Sequence, residues 1–112
     1  MKNPVKKVAA IHDLSGFGRA SLTVIMPILS TMGIQACPLP TSILSTHTGS
    51  FGDYQFVDFT DHMQDYINHW KRLDLKFDSI YSGFLGSTKQ IDIVADFIKE
   101  FREDSEFVVV DP

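Results

Sequence analysis

The sequence predicts an α/β fold, a parallel βαβ sheet with helices on both faces. Short apolar runs of the kind that form strands alternate along the chain with segments whose apolar residues recur every three or four positions. The last run, Phe107–Val110, is continuously apolar, which is typical of a parallel strand buried on both faces. Strands that alternate with helices form right-handed crossover units, and such units build a parallel sheet.

The first half of the chain predicts two strands with a helix between them. The apolar run KVAAIH predicts a strand over residues 7–12, and residues 34–39 predict a second strand. Between them, a helical pattern over residues 18–32 ends at Gly33, which suits the left-handed position after a helix. Pro27 predicts a bend in that helix. Residues 43–45 predict a short strand inside a polar, glycine-rich loop or flap.

The second half predicts two helices and two further strands. We expect Thr60 to cap a helix over residues 60–70, followed by a strand over residues 78–82. Ser87 and Gln90 have the spacing of a capping box, in which each side chain satisfies a free backbone N–H of the other. The helix that follows carries apolar residues at helical spacing: Ile91, Val94, Ala95, Ile98 and Phe101.

Composition limits the classes of protein that the chain represents. Its 112 residues suit a single domain, and a net charge of −4 argues against a nucleic-acid binder, which would need a basic face. The lone Cys37 cannot form an intramolecular disulfide and is interpreted as a small buried residue of a protein in a reducing compartment. The chain shows no signal peptide and no apolar run of about 20 residues. We therefore expect a cytoplasmic protein without a membrane segment.

Polar and small residues follow each predicted strand, where parallel sheets bind their ligands. The segment HDLSGFG follows the first strand, and the other three strands are followed by PLPTS, SGFLGS and DP. Gly16 and Gly18 do not complete a P-loop or a dinucleotide fingerprint. Two interpretations stay open for them: a tight turn that needs glycine, or backbone N–H groups that bind a polar ligand atom.

Several side chains in these segments have both a functional and a structural interpretation. Asp13 suits a hydrogen bond to a substrate hydroxyl or ring nitrogen, or the cap of a helix, and His12 is interpreted as structural. The segment 45–48 suits contacts with a small polar ring, or a solvated loop. Asp111 lies where α/β enzymes hold phosphates through a metal ion, and it also suits a turn before Pro112.

Together, four segments resemble the pyridoxal/pyridoxamine kinase branch of the ribokinase-like superfamily. They are VAAIHDLSGFGRASLTVIMPILSTMGI, PLPTSILSTHTG, YSGFLGSTKQI and VVVDP, and they extend from Val8 to Pro112. The resemblance implies an ATP-dependent kinase, with Mg²⁺, that phosphorylates the 5′-hydroxymethyl group of pyridoxal, pyridoxine or pyridoxamine. It also implies a homodimer and a set of site residues: Asp13, Ser15, His47, Thr48 and Phe84 around the substrate, and Asp111 near the metal and phosphates.

This sequence also departs from the family pattern. Asp13 stands where many members have Ser, and Phe84 lacks the phenol hydroxyl of the Tyr found in others. The family continues from Asp-Pro into further segments that supply the catalytic base, the anion hole and most of the ATP site. We therefore expect residues 1–112 to be the N-terminal, substrate-side part of one kinase domain, truncated after Pro112, and predict that this chain alone does not transfer phosphate.

Two alternatives remain. One is a sibling kinase that acts on hydroxymethylpyrimidine or its phosphate in thiamine synthesis, although the first loop fits that branch less well. The other is a non-catalytic, flavodoxin-like α/β binding module, which would need a fifth strand and a last helix to close its sheet.

Overall fold

The computed structural model describes residues 5–18, 20–46, 52–83 and 85–111. In these residues a five-stranded sheet has the order β3-β2-β1-β4-β5, with all neighbours parallel except the antiparallel β3. The strands are β1 (Lys7–Phe17), β2 (Gln35–Thr46), β3 (Phe56–Asp58), β4 (Ser79–Ser82) and β5 (Phe107–Val110). The helices are α1 (Leu22–Thr31), α2 (Thr60–Arg72) and α3 (Thr88–Phe101), and a 3₁₀ turn (Arg102–Asp104) follows α3.

Helices cover both faces of the sheet, as predicted. The chain moves from β1 to β2 in one direction and from β4 to β5 in the other, so right-handed crossovers put α1 on one face and α3 on the opposite face. The main core lies on the face of α2 and α3, where Ile11 and Leu39 pack against Met63, Phe77 and Phe97. The α/β fold class with a largely parallel sheet is confirmed.

Strand β1 is longer than predicted, and this shapes the end of the sheet. It pairs with β2 as far as Phe17 and Thr46, but with β4 only from Val8 to Ile11. Residues 12–17 and 40–46 therefore project beyond the end of β4, and we call them the β1–β2 extension. The polar residues and glycines of β1 predicted a turn after residue 12, and pairing with β2 overrides that local signal.

The two glycines of the first segment have different structural reasons. A Cβ on Gly16 would lie 3.2 Å from the carbonyl oxygen of Ser45, so the two strands approach closely there. Gly18 has a φ of 87° and Ser21 a φ of 50°, and these non-helical residues delay the start of α1 to Leu22 instead of residue 18. The structure therefore supports the structural interpretation of both positions: Gly16 allows close packing of the two strands, and Gly18 adopts the positive φ of a turn.

The starts of α2 and α3 differ from the predicted caps. Thr60 is the first residue of α2, and the Asp58 carboxylate accepts hydrogen bonds from its backbone N–H, at 2.8 Å, and from its hydroxyl. The prediction of Thr60 as the cap is therefore wrong. Ser87 caps α3 as predicted, since its hydroxyl accepts the N–H of Gln90 at 3.2 Å. The Gln90 side chain does not reach back to Ser87, so the reciprocal half of the capping box is wrong.

Two further predictions are corrected at the edges of the sheet. The predicted loop after residue 45 contains a strand, β3, which pairs antiparallel with residues 42–44 of β2. Strand β5 was expected to be buried on both faces, yet its four side chains are exposed, Phe107 by 64%. This strand lies at an edge of the sheet, and no described residue beyond β5 pairs with it. No helix in the described part of the chain is long and apolar enough to span a membrane.

Candidate functional site

A pocket of about 520 Å³ opens beyond the carboxyl ends of the strands, on the α2/α3 face of the sheet. Its lining comes from strands β1, β2 and β3, from the residues before α1 and from the start of α3. These residues are Asp13, Ala20, Ser21, Thr41, Ser42, Leu44, Phe56, Asp58, Gly86, Ser87 and Gln90. Carboxylate, hydroxyl and amide groups line the pocket together with apolar side chains, a combination that suits a small polar ligand.

Asp13, which the sequence predicts as a substrate contact, contributes its carboxylate to the lining of this pocket. Alternation along β1 puts its side chain on the face opposite to that of His12. The Ser21 hydroxyl donates a 2.6 Å hydrogen bond to Asp13 Oδ1, and a β-bridge between Leu14 and Ser21 fixes this approach. The hydrogen bond holds the carboxylate in the pocket wall and leaves its second oxygen without a partner among the described residues.

A bulge in β2 shapes the opposite wall. His12 pairs with Pro40 and Leu14 with Ile43, so two steps along β1 correspond to three along β2. The extra residue lies in the Thr41–Ser42 segment and brings both Thr41 and Ser42 to the pocket lining.

Hydrogen bonds from Gln90, a residue of α3, link this bulge to α2. Its Nε2 donates to the Thr41 carbonyl and to the Thr60 hydroxyl, both at 2.9 Å. Gln90 is 6% exposed, so these hydrogen bonds are shielded from water. At the rim, the side-chain and backbone hydrogen bonds from Thr60 lower the pKa of Asp58 below its ordinary value of 3.8. The wall therefore carries an ionised carboxylate at neutral pH.

A second surface lies beside the pocket, where β4 ends below the β1–β2 extension. The N–H of Gly83 bonds to the Ile11 carbonyl at 2.9 Å, and the N–H of Asp111 bonds to the Ser82 carbonyl at 2.8 Å. Gly83 and Asp111 thus form a floor, and the projecting part of β1 forms a wall. We call this feature the step. The step lies between β1 and β4. The connection after β1 leads toward one edge of the sheet and the connection after β4 toward the other, and open α/β sheets bind ligands at such a point.

His12 occupies the wall of the step. It is 6% exposed, and its ring meets the Tyr81 ring edge to face with centroids 4.6 Å apart. Burial lowers the pKa of His12 below its ordinary value of 6.5, and the carboxylates of Asp13 and Asp111 oppose that shift. Both carboxylates therefore lie near enough to His12 to act on its charge, although Asp111 does not line the pocket.

The structure describes three of the six predicted site residues. Asp13 lines the pocket, while Asp111 is exposed at the step. Ser15 is fully buried, and its hydroxyl has no hydrogen-bond partner among the described residues. His47, Thr48 and Phe84, which the resemblance also implies, lie outside the described residues.

Other residues of the pocket were not predicted from the sequence. Gln90 was predicted only as half of a capping box, and the sequence around Asp58 predicts no site. Nothing in the local pattern distinguishes Ser21 or Ser42 from ordinary turn residues. These four side chains meet Asp13 only because the sheet brings distant segments together. A group of three or more His, Cys, Asp or Glu side chains that could hold a metal ion is absent from the described residues.

Comparison with known proteins identifies similar structures. A candidate phosphomethylpyrimidine kinase from Bacteroides thetaiotaomicron is 57% identical, with a TM-score of 0.93, over all of this chain and 38% of its own. The same protein was also solved with pyridoxal, with a TM-score of 0.91 over 97% of this chain. Pyridoxal kinase from Lactobacillus plantarum is 31% identical, with a TM-score of 0.88, over 97% of this chain and 38% of its own.

More distant structures share the fold. Pyridoxal kinase from Staphylococcus aureus, solved with AMP-PCP and pyridoxal, is 17% identical with a TM-score of 0.80, over 98% of this chain and 39% of its own. The chain thus spans less than half the length of these relatives. No family model and no curated protein sequence matches it.

Proposed function

This chain belongs to the pyridoxal kinase family of the ribokinase-like superfamily, and we propose that the protein transfers a phosphoryl group from ATP to the 5′-hydroxymethyl group of a vitamin B6 vitamer. The observation that carries the proposal is the pyridoxal found with a protein that is 57% identical over 97% of this chain. Pyridoxal, pyridoxine and pyridoxamine are the expected substrates. The kinase relatives also disfavour the alternative of a non-catalytic binding module.

The pocket suits a substituted pyridine ring. Its volume of about 520 Å³ falls in the usual range for small-molecule sites, and apolar Leu44 and Phe56 line it together with hydroxyl and carboxylate groups. The second oxygen of Asp13, which has no partner in the described part of the chain, can accept a hydrogen bond from a substrate hydroxyl or from a protonated ring nitrogen. Ser15, His47, Thr48 and Phe84 remain proposed substrate contacts.

The residues of this chain would orient the substrate, while nucleotide binds chiefly to the remainder of the protein. ADP or AMP-PCP accompanies some of the more distant pyridoxal kinases, which supports a nucleotide site in the fold. Asp111 offers one exposed carboxylate at the step, and Mg²⁺ in kinase sites takes one or two carboxylates together with phosphate oxygens. Bound there, Mg²⁺ would neutralise charge on the transferring phosphoryl group.

A hydroxymethylpyrimidine or its phosphate is the second candidate substrate. The name of the Bacteroides relative favours it, since that protein is described as a candidate phosphomethylpyrimidine kinase. The structure of the same protein with pyridoxal favours a B6 vitamer instead. The homodimer, the cytoplasmic location and the inactivity of residues 1–112 alone also remain proposals.

A competition assay tests the function. The full-length gene product receives ATP–Mg²⁺ with pyridoxal, pyridoxine, pyridoxamine and hydroxymethylpyrimidine in parallel, and phosphorylated products are identified by mass. We expect the highest kcat/KM with a B6 vitamer. A preference for the pyrimidine would move the function to thiamine synthesis, and the absence of any phosphorylated product would contradict the kinase proposal.

A further inference from the structure

We propose that Asp58 and Gln90 select among the vitamers by accepting hydrogen bonds from the protonated 4′-aminomethyl group of pyridoxamine. The inference rests on the proposed function and deepens it, because it names the vitamer that the pocket favours. It depends on three observations: the acceptor atoms that Asp58 and Gln90 present, the charge of the pocket lining, and the separation of Asp58 from Asp13.

The first observation is an open acceptor on a buried side chain. Gln90 lines the pocket and is 6% exposed. Its Nε2 donates to the Thr41 carbonyl and to the Thr60 hydroxyl, which fixes the amide group in place. Its Oε1 accepts no hydrogen bond from the described residues, yet it is not among their wholly buried, unpaired side-chain atoms. The Oε1 atom therefore keeps access to the open space of the pocket.

Asp58 supplies a second acceptor beside Gln90. Asp58 Oδ1 accepts the backbone N–H of Thr60 at 2.8 Å and lies 3.5 Å from Gln90 Nε2. These contacts orient the carboxylate, and the hydrogen bonds from Thr60 lower its pKa, so it is ionised at neutral pH. Asp58 Oδ2 accepts no hydrogen bond from the described residues. A carboxylate oxygen and an amide oxygen are thus available to a ligand at this side of the pocket.

The second observation is the charge of the lining. Asp13 and Asp58 contribute two carboxylates, and no Lys, Arg or His of the described residues lines the pocket. Lys89 acts on Asp58 from outside the pocket, and its amino group pairs with Asp61 at 3.0 Å. The starts of α2 and α3 each add a partial positive charge of about half a unit. Two full negative charges exceed these partial charges, so the pocket favours a cation and disfavours a phosphate.

The third observation is the separation of the two carboxylates. Asp13 belongs to β1 and Asp58 to β3, and β2 lies between these strands. Neighbouring strands are about 4.8 Å apart, so the backbones of β1 and β3 are separated by about 10 Å. The two carboxylates therefore suit different substituents of one ring and not a single shared atom. With Asp13 assigned to a hydroxyl or the ring nitrogen, Asp58 and Gln90 are left for another substituent.

The 4′ substituent is the group that distinguishes the vitamers. Pyridoxamine carries an aminomethyl group there, pyridoxine a hydroxymethyl group and pyridoxal an aldehyde. An alkyl ammonium has three N–H donors and no acceptor, so it matches a carboxylate oxygen together with an amide oxygen. An aldehyde only accepts hydrogen bonds and leaves both oxygens unpaired, which a site built from acceptors penalises. Pyridoxal is therefore expected to remain a substrate, but a poorer one than pyridoxamine.

The test compares the full-length wild-type protein with D58N, Q90L and the control D92N. D58N removes the charge but keeps an oxygen for the N–H of Thr60, because Asn and Asp both bond the backbone two residues on. Asp92 is exposed on α3 and does not line the pocket, so D92N makes the same change of charge outside it. The quantity measured is the ratio of kcat/KM for pyridoxamine to kcat/KM for pyridoxal.

We expect the wild-type protein to favour pyridoxamine about 10-fold, because the exposed Asp58 carboxylate is partly screened by water. D58N should lower kcat/KM for pyridoxamine about 10-fold and change that for pyridoxal less than about twofold, since only the ammonium group loses a charged partner. Q90L removes the amide oxygen and should lower the ratio in the same direction. D92N should leave the ratio within about twofold of the wild-type value.

Each outcome decides the inference. An unchanged ratio in D58N would overturn it, as would an equal loss with both vitamers, which is the effect of a residue that only supports the fold. A wild-type preference for pyridoxal would also overturn it. If D58N does not fold, the dissociation constants of pyridoxamine and pyridoxine for the wild-type protein decide instead, because these vitamers exchange an ammonium group for a hydroxyl. Tighter binding of pyridoxamine supports the inference, and equal or weaker binding overturns it.

The proposed function itself is tested before any variant is compared. Failure of the wild-type protein to phosphorylate any vitamer would refute that function. Phosphorylation of all three vitamers without a preference for pyridoxamine would leave the function intact and overturn only the role of Asp58 and Gln90.

Discussion

The Ser21 hydroxyl donates a 2.6 Å hydrogen bond to the carboxylate of Asp13, and so joins the residue before α1 to the middle of β1. Ser21 reaches that position with a φ of 50°, in a conformation that non-glycine residues rarely adopt. The strained backbone thus holds a serine where it orients the carboxylate of the candidate pocket. Such strain is found most often at functional sites.

Replacement of Asp13 should weaken vitamer binding in the full-length protein. We expect D13N to raise the KM for pyridoxal about 10- to 100-fold, because a hydrogen bond to a charged group is lost. The matched control is D61N, since Asp61 is an exposed carboxylate paired with Lys89 at 3.0 Å and does not line the pocket. Steady-state kinetics would contradict the assignment of Asp13 if both variants kept the wild-type KM.

Gln90 should stabilise the fold through its two buried hydrogen bonds. We expect Q90L to lower the free energy of unfolding by roughly 1–3 kcal/mol, because the Thr60 hydroxyl and the Thr41 carbonyl lose a buried donor. Q64L is the control, since the Gln64 side chain is exposed, its hydrogen bond to Asn68 lies at the surface, and its loss should cost less than about 0.5 kcal/mol. Urea unfolding measures both values. Equal stabilities of the two variants would contradict the proposed network.

Gly83 should not tolerate even a methyl group. We expect G83A to lower the free energy of unfolding by about 1–3 kcal/mol, because the new Cβ would overlap the His12 ring. G86A serves as the control: a Cβ on Gly86 meets no atom within 4 Å, and the change should be neutral or slightly stabilising. Thermal unfolding of the two variants provides the comparison. Similar melting temperatures would show that the His12 ring moves aside without cost.

His12 should contribute a pH dependence to stability. Burial lowers the pKa of its folded state below 6.5, so the unfolded chain binds more protons in the window between the folded pKa and 6.5. The stabilising contribution of the neutral imidazole is complete above pH 6.5 and is lost as the pH falls toward the folded pKa. We expect the wild-type protein to lose more stability than H12F in urea titrations between about pH 8 and about pH 5. Parallel pH profiles for the two proteins would contradict this.

The sequence by itself determined the elements whose signals are local. The periodic apolar residues of α2 and α3 and the Ser87 cap act over a few positions, so α2 and α3 lie within a few residues of their predicted bounds. The alternation of strands and helices also determined the parallel sheet, because crossover handedness leaves few arrangements. The position of Asp13 after a buried run was sufficient to place it at the carboxyl edge of the sheet.

Only the tertiary structure decided where β1 ends and what surrounds its carboxyl half. Asp13, Gly16 and Gly18 carry the local signals of a turn, but the hydrogen bonds of a neighbouring strand extend β1 to Phe17. The pocket and the step likewise join residues far apart in sequence, such as Asp13 with Gln90 and His12 with Gly83. Such contacts depend on strand order and register, which the packing of the whole sheet sets and no short stretch of sequence encodes.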